Sequence, residues 1–148
     1  MRNGTKSAKA PGKRGRGRPR SLDPAAALEK ARDVFWDAGY AASSLDELGA
    51  AMRLNRPSVY AAFGDKEALY LKALESYRDE GAETIRAALD PKRPLAEGLR
   101  EVYAGAVALD VANEPASRGC FLIGTAAVEW VRNDRVRAVL DKVAKVGD

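Results

Sequence analysis

Apolar residues return every three or four positions along this chain, between helix-capping signals, and nowhere alternate in the two-residue rhythm of a strand. That pattern confines the fold to the all-α class. Asp23-Pro24 reads as a helix start, with Asp at the N-cap and Pro at the first helical position. Leu28, Ala31, Phe35 and Ala38, widened by Val34, give that helix an apolar stripe. Gly39 ends it near residue 38, because only glycine enters the left-handed region without a Cβ penalty.

Ser44-Leu45-Asp46-Glu47 has the form of a capping box, so a short second helix is expected over 45–52, with Leu45, Leu48 and Met52 on one face. Arg53-Leu54-Asn55 is a tight connection, and Asn55 caps a third helix over 56–62. Pro57 is tolerated in its first turn. Spacing turns Val59, Ala62 and Phe63 inward and leaves Arg56, Pro57, Tyr60 and Ala61 outward. Gly64-Asp65 then starts a long fourth helix from Lys66 to about Leu89. Two short helices joined by a three-residue turn on a preceding helix make a helix-turn-helix. The second of the two suits the major groove of DNA.

Composition excludes much else. With no histidine and one cysteine, Cys120, there is no His-based triad, no Cys-His pair, no zinc site and no intrachain disulfide, and no metal or cofactor is expected. The acids are scattered at helical spacing without a glycine-rich phosphate loop, so the chain does not read as an enzyme. No long uncharged apolar run suggests a membrane helix, and the basic N-terminus lacks the apolar stretch of a secretory signal. A cytoplasmic, nucleoid-associated protein is expected.

The net charge of +4 hides an asymmetry: residues 1–20 carry eight Lys and Arg and no acid, leaving 17 basic residues against 21 acidic ones. So cationic and polar a stretch is expected to be a disordered arm lying along an acidic polymer. Within it, Gly15-Arg16-Gly17-Arg18-Pro19-Arg20 resembles the core of an AT-hook. Glycine admits the backbone to the groove floor, proline keeps it extended, and a narrow minor groove attracts guanidinium groups. Arg16, Arg18 and Arg20 are the candidate minor-groove residues. A solvated tail touching phosphates is the alternative, and the adjacent helix-turn-helix favours the groove.

Phe35-Trp36-Asp37-Ala38-Gly39-Tyr40, Ser44-Leu45-Asp46-Glu47-Leu48 and the run from Asn55 through Lys66-Glu67-Ala68-Leu69 together resemble the tetracycline-repressor (TetR) family. Arg53-Leu54 stands where that family commonly has Gly-Val, which implies a strained turn. Ala62 stands where histidine is frequent. The resemblance implies a ligand-responsive repressor that binds a palindromic operator as a homodimer. It implies that Arg56 reads base edges, suited to guanine by its bidentate fork. Pro57 and Ala61 would make close apolar contacts, and Ser58 and Tyr60 would bond phosphates or bases. Ser44 and Lys66 would hold phosphates at helix starts. Packing is the competing role for Tyr60, capping alone for Ser44 and pairing with a nearby acid for Lys66. Arg56 has no acid three or four residues away and so no evident structural partner.

Organisation is expected as a basic arm (1–20), a DNA-binding unit (21–66) and a helical regulatory and dimerisation region (67–148). In that last region Leu69, Ala73, Tyr77, Ile85 and Leu89 give the fourth helix an apolar side, and Leu95, Leu99, Val102, Ala106 and Leu109 continue in a fifth. Asn113-Glu114-Pro115 is a break. The apolar stretch Cys120–Val131 reads as a central core helix. A last amphipathic segment carries Val136, Val139, Leu140 and Val143. Arg118-Gly119-Cys120-Phe121-Leu122-Ile123 resembles a segment of some family members, and the family's two further helices are absent, so the region reads as shortened. Tyr77, Tyr103, Cys120, Phe121 and Trp130 are the candidates to line a site for an unknown small-molecule effector, with ordinary core packing as the alternative. Cys120 is either a sensor of electrophiles or oxidants or an inert thiol, and its apolar flank favours the second. An architectural DNA-binder without an effector is the alternative function.

Overall fold

The computed structural model describes residues 23–111 and 118–144. The basic arm, with Arg16, Arg18 and Arg20, lies outside the described residues, as does the expected break at 113–115. The described residues form seven helices and no strand: α1 (Pro24–Ala42), α2 (Leu45–Met52), α3 (Arg56–Phe63), α4 (Lys66–Ala88), α5 (Leu95–Val111), α6 (Phe121–Glu129) and α7 (Asp134–Ala144).

The caps explain why the helices start where they do. Asp23 accepts from the backbone N–H groups of Ala25 and Ala26, at 3.1 and 3.4 Å. Asp65 accepts from Ala68 N at 2.7 Å. Asn133 accepts from the N–H groups of Arg135 and Val136 at the start of α7. Each satisfies a donor that the first helical turn leaves orphaned. Gly39 interrupts α1 with φ 77° and ψ 169°, and Tyr40–Ala42 follow beyond that kink.

Ala27, Ala31 and Phe35 bury the inner face of α1, with Leu28 and Val34 half-buried against the same core, while Ala38, expected inward, is exposed. These residues meet Leu48 and Met52 of α2, Val59 and Phe63 of α3, and Leu69, Tyr70, Ala73 and Leu74 of α4 in one core. The same core continues into Phe121 of α6 and Val136, Val139 and Leu140 of α7. Toward its far end α4 leaves this core, and Ile85 and Leu89 are exposed. There α5 crosses it at Gly98, where a Cβ would collide with the Ala88 carbonyl. Leu95, Leu99, Tyr103 and Val107 of α5 are exposed.

The expectation of a central core helix at Cys120–Val131 is corrected. Only Phe121, Thr125 and Glu129, four residues apart on one face, are buried, while Ile123 is 71% exposed and Val131 85% exposed. A nine-residue helix touching neighbours on one side hides a single row of side chains. That row carries the helix's two polar residues. The Thr125 hydroxyl is satisfied by the buried hydroxyl of Tyr70, 2.9 Å away.

Candidate nucleic-acid interface

The short helices are set against each other by their connection. Ser44 Oγ accepts from Glu47 N at 3.1 Å, while Glu47 Oε2 accepts from Ser44 N at 2.8 Å, closing the capping box. At the other end of α2, Leu54 N donates to Gly49 O at 2.8 Å and Arg53 N to Ala50 O at 3.1 Å. This is a Schellman closure with Arg53 at the left-handed position, φ 57° and ψ 38°. The expected strain is therefore present at a non-glycine residue. Gly49 makes the closure possible, since a Cβ there would stand 2.7 Å from the Leu54 carbonyl oxygen.

Asn55 Oδ1 accepts from Ser58 N at 2.9 Å and starts α3. Val59 and Phe63 anchor that helix in the core. Arg56, Pro57, Tyr60 and Ala61 lie exposed on its other flank, Tyr60 by 51%, and Ser58 is half-buried. Ala62, expected inward, is exposed as well: on an eight-residue helix two inward residues suffice to fill the gap above α2 and α4.

Arg56 has a partner that its own helix does not supply. Its Nε and Nη2 donate to Asp46 Oδ1 and Oδ2 of α2, at 2.7 and 2.8 Å. The hydrogen bonds hold the Asp46 carboxyl below its ordinary value and the Arg56 guanidinium above its own. The expectation of no structural partner is thus corrected; the acid lies ten residues back, across the turn. Both side chains remain more than half exposed. With one edge of the guanidinium on Asp46, Nη1 and the second Nη2 hydrogen are left for another acceptor.

Lys66 begins α4 half-buried, its Nζ 4.6 Å from the ring centre of Tyr40, and its charge adds to the hydrogen bonds from Ser44 that hold the Glu47 carboxyl below its ordinary value. The Tyr40 hydroxyl is pushed up by burial and then by the carboxylates of Glu67, Asp65 and Glu129.

Of the five residues singled out for an effector, three come together. Tyr77 donates to Cys120 Sγ at 3.8 Å and meets the Phe121 ring edge-on at 5.8 Å. Burial, with the Cys120 thiol beside it, pushes the Tyr77 hydroxyl up to about 12. Tyr103 is corrected: it lies 71% exposed on α5, since α5 touches α4 through Gly98 and turns that ring outward. Trp130 stands at the end of α6, partly exposed, its backbone carbonyl accepting from Arg137. The sequence reading missed Trp36, whose indole packs on both Tyr77 and Phe121 and donates to the Arg118 carbonyl at 3.2 Å. It also missed Arg118, which forks onto Asp37 at 2.6 Å and reaches Asp33 at 3.2 Å. Two acids four apart on the outer side of α1 were the available signal.

A capped helix pair closed by a tight turn, with an arginine-bearing flank exposed and its opposite flank in a shared core, defines a helix-turn-helix DNA-binding module. Residues 27–73 match the family model described as bacterial regulatory proteins, tetR family. The HTH-type transcriptional repressor ComR of Escherichia coli K12 is 37% identical over 111 residues, covering 75% of this chain and 53% of ComR. The HTH-type transcriptional repressor BdcR of the same strain is 37% identical over 86 residues, covering 58% of this chain and 44% of BdcR. The chain thus spans about half the length of these curated relatives. Among solved structures, the TetR family regulator CifR, a cysteine mutant complexed with 26-base-pair operator DNA, is 36% identical with a TM-score of 0.65. That likeness covers 86% of this chain and 64% of CifR. The reduced form of E. coli NemR is 18% identical over 83% of this chain and 64% of its own, with a TM-score of 0.72, a likeness of fold.

Proposed function

We propose that the chain is a transcriptional repressor, not an enzyme, that binds a palindromic operator as a homodimer and is released by a small-molecule effector. The observation that carries the reading is the exposed flank of α3, where Arg56 stands beside Pro57, Tyr60 and Ala61 while Val59 and Phe63 fix the helix from behind. In this reading Arg56 takes a guanine edge, Ser44, Ser58 and Tyr60 take phosphates or bases, and Lys66 clamps a phosphate beside Tyr40. Arg16, Arg18 and Arg20 enter the adjacent minor groove. The regulatory region begins within α4, and the Tyr77, Cys120 and Phe121 cluster lines its effector side. Such a protein works in the cytoplasm, on the nucleoid; no described helix is long and apolar enough to cross a membrane.

Selection of bound sites from random DNA tests it. The expected product is an inverted repeat whose half-sites lie about one helical turn, or a multiple, apart. Enrichment of unsymmetrical sequence, or none, overturns the dimeric operator reading.

A further inference from the structure

A groove of about 310 Å³ runs between the C-terminal turns of α1, the start of α4 and the inner face of α6. Five rings line it: Phe35, Trp36, Tyr40, Tyr70 and Phe121. Its other notable wall is the Glu129 side chain, from a residue only 8% exposed. Among the described residues that carboxylate forms no ion pair and accepts no hydrogen bond. Two cations beside the walls of the groove are already engaged. Arg118, at the rim, is matched by Asp33 and Asp37, and Lys66 sits over the Tyr40 ring. The negative charge of Glu129 is felt in the groove, since it raises both the Tyr40 and Tyr70 hydroxyls, second in each case to burial and other neighbours.

A carboxylate on the wall of a groove, matched by no cation among the described residues, gains when a positive charge arrives beside it. Aromatic faces favour the same sign of ligand. One carboxylate among rings cannot give a hard metal ion its six or more oxygens, so an inorganic cation is poorly served. From this juxtaposition we infer that the groove binds a small organic monocation, a single-ring or quaternary ammonium whose charge faces Glu129 and whose body lies among the rings. The volume stands at the low end of ligand sites, which sets the size. Occupancy of the groove is independent of the regulatory reading above; that a bound cation alters DNA affinity rests on it. The physical link would be α1, which supplies Phe35, Trp36 and Tyr40 to the groove and Ala27, Ala31 and Phe35 to the core under the DNA-binding helices.

The test uses the full chain carrying Trp130→Phe, which leaves Trp36 as its one tryptophan, titrated with phenyltrimethylammonium and with tert-butylbenzene, its neutral analogue. Trp36 emission is expected to change saturably with the cation, at about a tenfold lower concentration than with the neutral analogue. Glu129→Gln in the same background is expected to abolish that difference while leaving the neutral titration unmoved. Equal affinity for both probes, or no saturable change with the cation, overturns the site, and neither result depends on how the Glu129 variant folds. A preference that survives in folded Glu129→Gln overturns it too. Operator affinity is read separately: a cation that fills the groove while the operator stays bound supports the site and removes it from regulation.

Discussion

The pair formed by Asp46 and Arg56 gives one side chain two tasks. Asp46 occupies one edge of the guanidinium and fixes its plane, so the remaining donors leave α3 in a defined direction. Arg56→Ala should cost about 1–3 kcal/mol at the cognate operator and relax preference at one base pair, measured by fluorescence anisotropy on single-substitution sites. Asp46→Ala removes an acid from the surface proposed to face phosphates, so nonspecific affinity should rise while the ratio of specific to nonspecific binding falls. In a double-mutant cycle the loss of ratio should disappear once Arg56 is already Ala; persistence would mean that Asp46 acts without Arg56. A second residue-scale prediction concerns the turn. Gly49→Ala places a methyl group against the Leu54 carbonyl and should destabilise the fold by roughly 1–3 kcal/mol in urea denaturation.

Among the elements, α3 is the one that cannot stand alone. Eight residues are too few for a stable isolated helix, so its order comes from the Asn55 cap and from Val59 and Phe63 in the core. α6 is the converse, a strongly apolar helix that buries its polar row. Thr125→Val removes a hydroxyl pair with Tyr70 and should cost about 1 kcal/mol by denaturation, or more if Tyr70 is left without a partner. These two elements also mark how far the sequence could be read. Helix starts were legible because a cap is a local event: Asp23, Ser44, Asn55 and Asp65 each bond within three residues. The exposed flank of α3 was legible because two anchors on so short a helix leave little choice. What faces what across the molecule was not. The apolar stretch 120–131 carries no mark of which side meets α4 and α7, and the partner of Arg56 lies on another helix, beyond any rule of spacing along one. Tyr103 and Phe121 are alike as aromatic residues on helices, yet the crossing at Gly98 turns the first outward and the core takes the second.

For the molecule as a whole, electrostatics and seams matter most. Residues 1–20 carry eight basic residues against an acidic remainder, so in the proposed complex the arm would supply much of the attraction to phosphate. Deleting 1–20 should weaken binding to all sequences and make the plot of log affinity against log salt less steep, by about 0.9 for each phosphate that the arm no longer neutralises. An unchanged slope would show that the arm leaves the backbone untouched. The chain has no clean seam where its reading unit was expected to end, at residue 66. Leu69, Tyr70, Ala73 and Leu74 fill the space under the first three helices, and Arg118, far along the chain, is buckled to Asp33 and Asp37 of the first. A fragment severed at that point would lose its floor. The part proposed to meet DNA and the part proposed to sense are cut from one piece of material, so a strain applied near position 118 reaches the core beneath α2 and α3 through a single helix.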